Sequence, residues 1–204
     1  MSKIKLDALD DTQYDILKEI GNIGAGNATT ALAQLINTRL DMSVPKVALV
    51  PFKNITESMG SEEAIMVGIL LGLEGDVNGM MMFLLTEESA HTLVNILMGN
   101  RADTKGEFTE MELSALNEIG NIIAGAYLSA LAGLTGLTIS PSVPGLSIDM
   151  AGALLSVPAI EYGKIGDKVL LIETNFSEDN LMNGYFVMVP DLESYDRILT
   201  SLGM

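Results

Sequence analysis

A set of polar residues occurs twice in this chain, ninety-nine positions apart. Asp15, Glu19, Asn22 and Pro45 return as Ser114, Glu118, Asn121 and Pro144, with identical intervals between them. Over positions 15–45, fifteen of thirty-one residues equal the residue ninety-nine later, among them Leu17, Ile20, Gly21, Ile23, Ala25, Gly26, Ala31, Leu32, Ala33 and Leu35. A core needs apolar residues at repeated places; it has no need of a repeated Glu and a repeated Asn. The chain therefore reads as a duplicated unit with two copies of a polar site. The period is far too long for a solenoid, which favours two fused halves, about 10–99 and 109–204, within one domain spanning 1–204. A fainter echo relates Gly79–Phe83 and the following helix-like stretch to Gly184–Met188 and the stretch 191–203.

Each half reads as helix, strands, helix. Asp10, Asp11 and Thr12 are plausible cap residues for a first helix reaching about Ile36. Pro45 marks a boundary, Val47–Val50 a strand, and residues 53–63 a polar loop. The apolar runs Ala64–Leu73 and Gly79–Leu85, separated by Glu-Gly-Asp-Val-Asn, predict a hairpin. Glu87–Met98 has the pattern of an amphipathic helix, and residues 99–109 form a connector. The order then recurs: a helix over 110–134, a turn near Pro141–Pro144, a segment over 146–155, strands near 169–173 and 185–189, and a last helix over 192–202. The expected fold is α+β, with a pseudo-two-fold duplicated unit. One continuous, mainly antiparallel sheet would have the two long motif helices packed against it.

Composition narrows the function. The 204 residues suffice for one domain with a sizeable core. The net charge of −16 repels nucleic-acid phosphate and anionic membrane alike. With no Cys, disulfides, thiol nucleophiles and Cys-ligated metals are out of reach. The longest apolar run is too short to span a bilayer, and the N-terminus has no apolar signal core. A cytoplasmic protein is the expectation.

On a helix of roughly 100° per residue with Asp15 at zero, Glu19 falls at roughly 40° and Asn22 at roughly −20°, while Ile16, Leu17, Ile20 and Ile23 fall between roughly 80° and 200°. The polar residues thus form a narrow stripe apart from the core-facing one, and Gly26 and Ala33 extend it with a smooth surface open to close approach. Ser114, Glu118, Asn121, Gly125 and Ala132 repeat it. Neighbouring positions expected to be exposed have drifted between copies, Lys18 against Asn117 and Thr29 against Leu128, whereas Glu and Asn have not. Asn is a poor helix-interior residue, and local back-bonding explains one occurrence better than two. Its amide can orient a water but has no useful pKa; Glu can bind a cation or take a proton. Positioning a water suffices when the electrophile already sits in a charged, metal-bearing site, as in phosphoryl transfer. Glu and Asn alone make an incomplete site that a partner would complete.

The pattern Asp-x3-Glu-x2-Asn-x22-Pro, its second copy beginning with Ser, and the context Gly21-Asn-Ile-Gly-Ala-Gly26 resemble the signature of the CheC family of chemotaxis phosphatases over nearly the whole chain. The resemblance implies a phosphatase acting on the aspartyl phosphate of the response regulator CheY. It implies that Glu19 and Glu118 pair with the regulator's active-site lysine, and that Asn22 and Asn121 orient the attacking water. Asp15, Ser114, Pro45 and Pro144 would shape the sites. No cofactor of the chain's own is implied, Mg²⁺ being supplied in the regulator's site. Two intact motifs set the chain apart from the CheX branch. A first helix beginning near residue 11 and an end at Met204 leave no room for the extra segments of the flagellar-switch branch. Members with two motifs often bind the receptor deamidase CheD, and Ser147–Ala153 matches the docking segment, with Asp149 the candidate contact; Asp149 could equally cap a helix. The alternative reading is a binding module that mainly sequesters and regulates CheD. A third, a hydrolase using Glu19 and Glu118 as a carboxylate pair, fits poorly with each Glu having its own helix and Asn.

Other signals point to packing. Gly21, Gly24 and Gly26 sit within a helical pattern, not after a strand as a nucleotide loop requires, so they read as close-packing positions. His91 is the lone histidine and reads as surface or semi-buried filler. Most of the thirteen methionines read as core filler, Met81 being a candidate for an outward place in an alternating strand.

Overall fold

The computed structural model describes residues 11–36, 41–51, 54–99, 106–162, 168–177 and 181–203. The elements run α1 (Asp11–Ile36), β1 (Asp41–Pro51), α2 (Ile55–Ser58), β2 (Ile65–Gly75), β3 (Gly79–Thr86) and α3 (Glu87–Leu97). They continue with α4 (Glu110–Thr135), β4 (Ile139–Pro141), β5 (Gly145–Met150), α5 (Ala151–Tyr162), β6 (Lys168–Ser177), β7 (Leu181–Pro190) and α6 (Leu192–Ser201). The expected α+β class is borne out. Two short helices were not anticipated. α2 falls in the stretch read as loop. α5 falls in a segment that joined strand and helix, because its apolar residues surround the helix instead of lining one side.

All seven strands form one antiparallel sheet in the order β1-β6-β7-β3-β2, with β4 and β5 following each other along the far side of β2. The first strand of each half lies against the hairpin of the other. β1 pairs β6, with Pro51 opposite Lys168, and β5 pairs β2, with Met150 opposite Ile65. The two hairpins meet at β3 and β7, where Phe83 lies directly opposite Phe186. The β2–β3 turn forms where Glu-Gly-Asp-Val-Asn predicts it. Gly75 there has φ 115°, and a Cβ would stand 2.5 Å from the Thr138 carbonyl oxygen, so only glycine fits.

Period-two alternation divides the sheet between two cores. Val67, Ile69, Leu71, Met81, Phe83, Leu85, Ile172 and Phe186 face α1, α3, α4 and α6; Met66, Met82, Leu84, Leu171 and Val187 face α2 and α5. Because both faces are covered, β2 and β3 are continuously apolar. Met81 is accordingly buried in the first core and does not point outward.

α1 and α4 pack side by side. Their contact depends on a place where the copies differ. A Cβ on Gly24 would lie 2.5 Å from Cδ1 of Tyr127, whose ring stacks on Phe186 with centroids 4.5 Å apart. The counterparts are Ile123 and Ala28, so bulk added on one helix is matched by bulk removed on the other. Gly21 and Gly120 are buried, and a Cβ on Gly120 would press to 2.6 Å from Ile69. The close packing expected of Gly24 is found, whereas Gly26 is exposed with nothing within 4 Å of where a Cβ would stand, so it is not a packing position.

Candidate functional site

α4 is held at both ends. Thr109 caps it through a capping box: the Glu112 N–H donates to Oγ1 of Thr109 at 3.4 Å, and the Thr109 N–H donates to Oε2 of Glu112 at 2.7 Å. Gly136, left-handed at φ 69°, closes the C-terminus with its N–H on the Ala132 carbonyl at 2.8 Å. The Glu112 carboxyl is held below its ordinary pKa, first by the Thr109 main-chain N–H and then by the Thr109 hydroxyl. The sequence carries this signal plainly, as Thr109-x-x-Glu112 just ahead of the repeated motif.

On this frame Asp15, Glu19 and Asn22 are all exposed on α1, and Ser114, Glu118 and Asn121 are all exposed on α4. Gly26 is exposed and Gly125 and Ala132 half-buried along the same lines. Leu17 and Ile20, and Leu116, Ile119 and Ile123, are buried toward the sheet. The two stripes thus stand clear of the core. Within the described residues, neither Asn nor either Glu makes a side-chain hydrogen bond or ion pair. The contrast with nearby threonines is instructive: Thr29 and Thr30 donate back to the carbonyls of Ala25 and Gly26 at 2.8 and 3.0 Å. Local back-bonding therefore does not account for the asparagines, and both amides face outward. The drift between copies has a partly different cause from the one expected. Lys18 is exposed, but Leu128 is buried and Oδ1 of Asn117 is enclosed, so packing changed there too.

The two prolines lie on the sheet edges, off the helices. β1 is bulged between Ser43 and Lys46, where Pro45 falls. Pro144 falls in the break between β4 and β5, where Ser142 and Gly72 bond main chain to main chain and main chain to side chain, both at 2.9 Å. Proline has no N–H for a ladder, so each copy interrupts its edge strand at the same point.

Comparison with known proteins fits this geometry. A model of the CheC-like family matches residues 13–49 and 111–148, the two stretches that carry the stripes. The CheY-P phosphatase CheC of Bacillus subtilis (strain 168) is 37% identical over 201 residues, covering 96% of each chain. The chain belongs to the CheC-like family. Among solved structures, FliY of Thermotoga maritima superposes with a TM-score of 0.75 at 23% identity, covering 95% of this chain and 99% of that one. A CheX solved in complex with CheY, BeF3 and Mg²⁺ from Borrelia burgdorferi has a TM-score of 0.51 at 19% identity, covering 82% and 96%. These two establish the family's fold here.

Asp149 lies apart from both stripes, on the exposed edge strand β5 opposite Met66. Its carboxylate accepts from the Met150 N–H at 2.8 Å. α5 does not need it as a cap, because the N–H groups of Ala151 and Gly152 donate to the carbonyls of Ala64 and Glu62 at 2.8 and 3.0 Å. His91 is buried, not at the surface, with its ring stacked on Phe108 at 3.9 Å. Among the described residues no group of three or more His, Asp or Glu is placed to hold a metal, and no helix is long and apolar enough to cross a membrane.

Proposed function

We propose that the chain is a protein phosphatase that hydrolyses the aspartyl phosphate of CheY, with one site on α1 and one on α4. The observation that carries the reading is the pair of exposed Glu and Asn side chains, without a bonding partner among the described residues and repeated on two helices of a CheC-like fold. In it, Glu19 and Glu118 each meet a lysine of the regulator. Asn22 and Asn121 each reach beside the phosphoryl group, where the amide oxygen accepts a hydrogen bond from a water. That water's oxygen attacks phosphorus, the bond from phosphorus to the aspartyl oxygen breaks, and the aspartate leaves as carboxylate while phosphate departs. Mg²⁺ belongs to the regulator's site, and this chain contributes no cofactor. Asp15 and Ser114 border the sites at their N-terminal ends; Pro45 and Pro144 act at a distance, by shaping the edge strands. The whole chain acts as one domain, in the cytoplasm, on protein and not on nucleic acid. Support comes from the relative named a CheY-P phosphatase and from the CheX neighbour solved with CheY.

The test is the decay of phosphorylated CheY. Removing a water-positioning donor or acceptor costs about 10²–10³ in rate. Asn22→Ala or Asn121→Ala alone leaves the activity of the other site, and the double variant falls to the regulator's intrinsic decay with an unchanged melting temperature. A folded, fully active double variant would refute the reading.

A second surface favours a further partner. Beside Asp149 a groove of about 310 Å³ is lined by Leu70, Leu146, Leu154 and Val157, the last 40% exposed, while Ile148 and Met150, 38% and 44% exposed, alternate onto the other face of the same edge strand. Apolar exposure on this scale suits protein docking, and the reading assigns it to CheD. In the alternative in which the chain mainly sequesters CheD, hydrolysis is secondary. Asp149→Lys is expected to weaken CheD binding by calorimetry and leave CheY-P decay unaltered; equal affinity for both forms would remove the assignment.

A further inference from the structure

The exposed face of α4 does not begin at Ser114. One turn earlier stands Met111, 68% exposed in the helix's first turn. At roughly 100° and 1.5 Å per residue, Met111 lies about 20° round from Glu118 and about 10 Å nearer the N-terminus, on the same stripe. Its neighbour Phe108 packs onto the main core, whereas Met111 is left in solvent. On α1 the corresponding position is Thr12, exposed and polar. The stripes that agree at Glu and Asn therefore differ at this end.

Residues 106–162 contain no Lys or Arg, while Glu107, Glu110 and Glu118 are all exposed around Met111. The second site is thus an anionic face with one apolar projection. A partner of ordinary interface size covers about 800 Å² on each side, a patch about 16 Å in radius. One seated on Glu118 and Asn121 reaches Met111. Methionine is enriched in such contacts, because its unbranched side chain adapts to an uneven surface.

We propose that Met111 is a specificity-determining contact of the second site, packing on an apolar patch of the phosphorylated regulator beside the lysine that meets Glu118. The proposal rests on the phosphatase reading above. It gives the two sites unequal affinity for the same regulator, through a residue that the first site lacks.

The test uses full-length chains with one site silenced and phosphorylated CheY as substrate. In the Asn22→Ala background, where turnover runs through α4, Met111→Ala is expected to raise KM about five- to tenfold, the scale of a partly buried methionine contact, with kcat little changed. Met111→Leu should restore KM. In the Asn121→Ala background turnover runs through α1, and the same change has no second site to weaken. An unchanged KM in the first background, or an equal rise in both, overturns the proposal. Absence of turnover in both parent chains would instead refute the phosphatase reading itself.

Discussion

Glu19 and Glu118 each stand on a helix face with no intramolecular partner among the described residues. A surface carboxylate without a partner contributes little to stability, since even paired surface charges give only about 0–1 kcal/mol. Their repetition is thus better explained by something outside the chain. The asparagines sharpen the point, because Asn in a helix interior is less favourable than Ala and here forms no compensating bond among the described residues. Glu19→Lys with Glu118→Lys is expected to abolish turnover through binding, by setting a cation against the regulator's lysine, and to leave the melting temperature nearly unchanged. The check is KM and kcat for phosphorylated CheY with parallel thermal melts. A fall in kcat at unchanged KM would move the glutamates from binding to chemistry.

At the scale of single elements, the N-terminus of α4 is the best-defined joint near a site. Glu112 is buried and accepts two bonds from Thr109. Its folded pKa is lowered, so its contribution is fully present above the ordinary unfolded value of about 4.3 and is lost as pH falls through the lower folded value. Glu112→Ala is therefore expected to lower the melting temperature at pH 7 by ~2–4 °C, the scale of a lost cap worth about 1 kcal/mol. The gap from wild type narrows as the pH falls below about 4. Melts of both proteins across that range check it, and a gap independent of pH would show that the charge is not what stabilises the cap.

For the molecule as a whole, the pairing of strands across the halves matters most. Among the described residues β1 is paired only with β6, and β3 has β7 on its outer side, so either half alone would expose several unpaired edges. It would also lose the contact between Gly24 and Tyr127. Unpaired strand edges beside uncovered apolar surface do not support a stable monomer. Fragments 1–104 and 105–204 are thus expected to be unfolded or aggregated when separate and to recover native circular dichroism when mixed. A well-dispersed NMR spectrum from either fragment as a monomer would overturn this.

The repeat of Glu, Asn and Pro, the extents of both long helices and the polar stripe were legible in the sequence. Helical periodicity and the β2–β3 turn are local, set by residues a few positions apart. The capping box at Thr109 was legible too, though it lies just outside the motif. The sequence could not show that β1 crosses to the hairpin of the other half, because two related halves offer equivalent apolar edges and periodicity does not choose between them. It could not separate β5 from α5, since a segment buried on one side and apolar all round has no period to read. Nor could it tell that Met81 faces inward while Met111 faces out. Burial of a methionine depends on which elements cover its face, and only the packing of α1, α3, α4 and α6 over one side of the sheet decides that.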